Sequence, residues 1–134
     1  MIDAPIDHIG IVVADLEATV AFYTRTLGLS VVYRQTIVDQ GVEAVGLRSG
    51  DSIIELLLPL DPASPIAAFR GTAPTKLHHT AYRVADIGAE LRRLKAAGVR
   101  LIDEVPRQGA HGNTIAFLHP KSTGGVLIEL CQRP

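Results

Sequence analysis

The chain has 134 residues, 47% of them hydrophobic, with 13 Lys and Arg against 14 Asp and Glu for a net charge of −1. That is the length of one domain with enough apolar material for a core. The near-neutral balance, without blocks of like charge, argues against a nucleic-acid or polybasic membrane surface. No apolar run is long enough to cross a bilayer and none reads as a leader, while the single cysteine, Cys131, cannot form an intrachain disulfide and fits a reducing, cytoplasmic setting.

Residues 7–13, rich in Ile and Val, predict a strand. Asp15 follows as a helix cap, because its carboxylate can accept from the orphan N–H groups of a first turn. Leu16, Val20 and Tyr23 recur at helical spacing, and Gly28 stands where such a helix stops. Three strand-like runs follow near 29–36, 42–48 and 52–58, the last two joined by the turn Ser49-Gly50-Asp51. Residues 59–76 form a proline-bearing connection with a short helix around residues 65–69. The order then recurs: a strand over 77–84, Asp86 as cap, a helix with Ile87, Leu91 and Leu94 on one face, Gly98 as stop, and strands near 99–104, 113–118 and 125–131. The predicted class is α+β, one domain over 1–134 made of two βαβββ modules, 5–58 and 77–132.

The repeat reaches individual residues. His8 leads to Val13-Ala14-Asp15, and His79 leads to Val84-Ala85-Asp86. Each module closes on Ile-Glu-Leu, at Ile54-Glu55-Leu56 and Ile128-Glu129-Leu130. A fixed order of matching features is the signature of an internal duplication.

Strand alternation puts Glu55 on a face with Ile53 and Leu57, and Glu129 on a face with Leu127 and Cys131. A carboxylate buried among apolar neighbours is costly unless its charge is offset. A metal ion held by His8, Glu55, His79 and Glu129 would offset both. His78 faces the other way and is expected to be a packed histidine; His111 and His119 fall at loop or strand-end positions. Two imidazoles and two carboxylates suit Mn, Co, Ni, Zn or Fe. An octahedral ion with four protein ligands leaves two positions for a chelating dicarbonyl, whose enolate it would stabilise.

DHIGIVVADLEATVAFYTRTLGL, QGVEAVGL (Gln40 to Leu47), IIELLLPLDPASPIAAF, LHHTAYRVADI and RQGAHGNTIAFLHPKSTGGVLIEL carry a resemblance that spans the chain. The chain resembles the vicinal oxygen chelate superfamily and, within it, the methylmalonyl-CoA epimerases. The resemblance implies paired βαβββ modules curled into a cup around the metal. Ligands would be His8, Glu55, His79 and Glu129, and the metal Co2+ or Mn2+, with Ni2+ and Zn2+ also compatible with the donors. It implies epimerisation of methylmalonyl-CoA through its C2 proton, with Glu43 as one base and Glu129 as ligand and second acid or base. Strand alternation would place Glu43 with Val45 and Leu47, an apolar setting that raises a carboxyl pKa. Lys121 and Ser122, in the HPKS segment, are candidate contacts to the acyl group or the CoA arm, or simply parts of a turn. A homodimer is implied too. The nearest alternatives are a lactoylglutathione lyase (glyoxalase I) and a non-catalytic binding protein of the same fold.

Overall fold

The computed structural model describes residues 1–134. The chain separates into two compact units, His8–His78 and His79–Pro134 with Met1–Asp7.

The first unit carries most of β1 (Ile6–Val13), then α1 (Leu16–Ala21), β2 (Ser30–Ile37), β3 (Val42–Ser49), β4 (Ser52–Pro59) and α2 (Pro65–Arg70). Its sheet runs β2-β3-β4-β1, antiparallel until the parallel β4–β1 pair. The Asp15 carboxylate caps α1 by accepting from the Ala18 N–H at 3.0 Å, as expected. The helix does not continue regularly to Gly28, however. Residues 22–26 are π-helical, with the Leu27 N–H reaching back five residues to the Phe22 carbonyl. The Thr24 hydroxyl donates to the Val20 carbonyl at 2.9 Å, a competing bond of the kind that distorts a helix. Val13, Leu16, Val45, Leu47 and Leu56 make the core between helix and sheet. The expected short helix is α2, capped by Ser64.

The second unit repeats the plan with the end of β5 (Thr75–Arg83), α3 (Ile87–Ala96), β6 (Arg107–Gln108), β7 (Thr114–Leu118) and β8 (Ile128–Gln132). Here β5 pairs in parallel with β8, β8 antiparallel with β7, and β7 with β6. Asp86 caps α3 through the Ala89 N–H at 2.9 Å. One side of the sheet packs Ala116, Leu118 and Leu130 against Ile87 and Leu91 of the helix. The other gathers Ala81, Ile115, Phe117 and Cys131.

The strand expected over 99–104 is absent. Leu101 makes one isolated bridge to Leu118, and the N–H groups of Ile102 and Asp103 both converge on the Phe117 carbonyl. The Asp103 carboxylate then accepts the Phe117 N–H at 2.9 Å, so a side chain takes the place of a ladder partner. The two-residue β6 supplies the edge instead. The last strand also begins later than expected, because Gly124 (φ 74°) and Gly125 (φ 100°) hold left-handed backbone that a strand cannot contain.

Candidate active site and metal ligands

In the first unit, Gly10 of β1 and Gly46 of β3 lie on either side of Glu55 in β4. Neighbours across a sheet share a face, so Glu55 points away from the side where Ile54 and Leu56 meet α1. His8, two residues before Gly10, points the same way. His8 Nε2 and Glu55 Oε1 are 3.9 Å apart, with both residues buried. Tyr33, beside Gly46 in β2, donates its phenol hydrogen to Glu55 Oε2 at 2.6 Å.

The second unit presents the counterpart. His79 Nε2 stands 3.5 Å from Glu129 Oε2, with exposures of 2% for each residue. Phe117, directly across the ladder from Glu129, meets the His79 ring edge-to-face with centroids 5.6 Å apart. Burial at this level leaves two carboxylates and two imidazoles in apolar surroundings, where a charge needs a partner. Each pair offers one imidazole nitrogen and carboxylate oxygen, and this donor set fits a divalent metal ion.

His78 is not in this arrangement. It packs edge-to-face on Phe69 at 5.0 Å, and its burial lowers the imidazole pKa. His119 accepts from the Lys121 N–H at 3.1 Å, and His111 is exposed in left-handed backbone at φ 58°.

The apolar setting expected for Glu43 requires a correction. Alternation does place it with Val45 and Leu47, but that side of the sheet faces α1, the opposite side from Glu55. Its setting is also not apolar: Arg34 Nε donates to Glu43 Oε1 at 2.7 Å, and the same guanidinium bonds Glu17 of α1. The pairing with two carboxylates raises the Arg34 pKa, locking a cation beside Glu43. Ser122 has a local task as well, since its Oγ accepts the Arg100 N–H at 2.8 Å and ties down the turn Pro120–Ser122. The Lys121 side chain is exposed.

Sequence reasoning missed Tyr33 and Gly46. The available signal was a glycine inside a strand otherwise filled by Val45 and Leu47, a pattern that marks close approach of another group.

Known proteins share this architecture. The glyoxalase/bleomycin resistance protein/dioxygenase superfamily profile matches residues 7–117. An ethylmalonyl-CoA/methylmalonyl-CoA epimerase of Cereibacter sphaeroides is 44% identical over 129 residues, covering 95% of this chain and 96% of that protein. The crystal structure of methylmalonyl-CoA epimerase from Mycobacterium tuberculosis matches with a TM-score of 0.91 at 40% identity, over 96% of this chain and 87% of that one. A methylmalonyl-CoA epimerase in complex with methylmalonyl-CoA and NH4+ matches with a TM-score of 0.88 at 37% identity, over 96% and 93%.

Proposed function

The chain belongs to the glyoxalase/bleomycin resistance protein/dioxygenase superfamily, and on that premise we infer that it interconverts the C2 epimers of methylmalonyl-CoA. The observation that carries this reading is a buried His–Glu pair in each of two modules, in a chain 44% identical to an epimerase of that substrate.

His8, Glu55, His79 and Glu129 would together hold one divalent ion. Cobalt or manganese is favoured, and nickel or zinc also suits these nitrogen and oxygen donors. When bound, the ion supplies Lewis acidity to the thioester and carboxylate oxygens of the substrate. The C2–H lies between those two carbonyl groups, which makes it the acidic position of the substrate. Glu129, buried between Ala81 and Phe117 of the neighbouring strands, would take the C2 proton on one face; a solvent water would give a proton on the other, and the hydroxide so formed would be neutralised by the proton Glu129 releases. Glu43 drops out of this scheme because it faces α1 and is paired with Arg34. Lys121 offers a cation to the CoA phosphates or the acyl carboxylate, with the Ser122 hydroxyl beside it able to donate as well as accept. The assembly is a homodimer in the cytoplasm, a compartment in which the buried Cys131 thiol stays reduced.

The test is a direct assay with a single epimer of methylmalonyl-CoA and, separately, with the hemithioacetal of methylglyoxal and glutathione. The epimer should racemise at C2, and the hemithioacetal should persist. Turnover of the hemithioacetal alone would replace the reading with a lactoylglutathione lyase. Binding without turnover of either would replace it with a binding protein of the same fold.

A further inference from the structure

The geometry points to Tyr33 as a positioning residue that makes Glu55 a one-oxygen metal ligand, with Gly46 providing the space. This rests on the proposal above that Glu55 binds the ion. The arrangement begins in the backbone. The β2–β3 register shifts between Val31 and Tyr33, bringing Tyr33 opposite Gly46, while Gly46 is opposite Glu55 on the other side. The Tyr33 side chain therefore crosses over β3 to reach β4. A Cβ added at Gly46 would lie 2.1 Å from Tyr33 Cε1 and 2.4 Å from Cζ, inside any real carbon–carbon contact. Gly46 is thus needed for space; it is not among the residues of positive φ.

The phenol then holds a particular oxygen. Its 2.6 Å bond falls in the short range of hydroxyl-to-carboxylate bonds and goes to Oε2. The oxygen nearer the His8 imidazole is Oε1, at 3.9 Å. With Oε2 engaged, rotation of the carboxylate is opposed, and Oε1 is the atom presented on the His8 side. Partners of this kind orient metal ligands, and their loss weakens metal affinity by roughly 10–100-fold. The second unit does not repeat the device: Phe117 takes the cross-strand position that Gly46 holds, and its ring has no hydroxyl to offer.

The deciding experiment compares wild type with Tyr33→Phe, which keeps the ring over Gly46 and removes only the donor. Metal affinity would be measured by competition with a chromophoric chelator, the visible spectrum of the Co2+ form would be recorded, and apo-protein Tm would be followed in parallel. Tyr33→Phe should keep an apo Tm within a few degrees of wild type, bind metal about 10–100-fold more weakly and alter the Co2+ spectrum. Its turnover should recover toward wild type only at saturating metal. Gly46→Ala, which displaces the ring while leaving the phenol in the chain, should reproduce the affinity loss. If wild type binds metal and exchanges the C2 proton, unchanged affinity and spectrum in Tyr33→Phe overturn the role of Tyr33 and leave the epimerase reading standing. Failure of wild type to bind any divalent metal overturns both.

Discussion

The two units carry the same His–Glu pair but support it differently. In one, the carboxylate of Glu55 is held by a tyrosine that reaches across a glycine. In the other, Phe117 lies directly across from Glu129 and packs on the His79 ring. Each places an aromatic side chain beside its His–Glu pair, delivered from β2 in the first module and β7 in the second. The His–Glu pair is thus common to both units, while the groups behind it differ. Polar support controls the direction of a ligand; apolar support controls its burial and local dielectric. The modules should therefore fail in different ways when those supports are removed.

The largest effect should follow loss of an imidazole. His8→Ala and His79→Ala should each abolish tight metal binding and reduce turnover to background, measured by metal analysis and epimerase assay. Half the metal retained in either variant would mean two independent sites. Next comes Glu129→Gln, which should slow exchange of the substrate C2 proton by about 10²–10⁴-fold, the usual worth of a positioned acid or base. Phe117→Ala separates the supports. It should cost about 3–5 kcal/mol of stability in denaturant titration, whereas the hydroxyl removed in Tyr33→Phe should be felt mainly in metal affinity. A similar stability loss from both would erase the distinction between them. Glu43→Gln should leave turnover within a few-fold of wild type and change stability by less than about 1 kcal/mol, because an exposed pair with Arg34 contributes little. An exchange defect comparable with that of Glu129→Gln would return Glu43 to the mechanism.

The smallest effect is a pH dependence confined to the second module. A hydrogen bond from Arg93 Nε at 3.0 Å lowers the Glu90 pKa below 4.5. Because the folded-state value is depressed, the stabilisation is present above pH 4.5 and is lost as pH falls through the folded value. Glu90→Gln should flatten that acid limb of stability in urea titrations between about pH 3 and 6, the range around an ordinary glutamate pKa. An unchanged slope would remove the pair as its cause.

Much of the plan was legible because the repeat combined independent local signals. Asp15 and Asp86 as caps, Gly28 and Gly98 after the helices, and the two Ile-Glu-Leu strands each follow from residue chemistry. The repeat register also distinguished His79, which stands beside Glu129, from His78, which packs on Phe69. What stayed hidden depended on partners distant in sequence. Alternation assigned Glu43 to the face of Val45, yet only strand pairing reveals that α1 covers that face and that Arg34 waits there. Residues 99–104 look like a strand by composition, but Asp103 uses its side chain to take the Phe117 N–H. The π-helical turn at 22–26 likewise escapes a period-based reading, since a hydroxyl bond from Thr24 perturbs the spacing on which that reading relies.

The central claim is that both His–Glu pairs serve one metal-assisted proton abstraction. Its most direct test is proton–deuterium exchange at C2 of methylmalonyl-CoA in D2O, using enzyme stripped by chelator and the same enzyme reloaded with Co2+ or Mn2+. The account predicts negligible exchange by the stripped enzyme and rapid exchange with epimerisation after reloading. Equal exchange by both forms, or none by either, would contradict it.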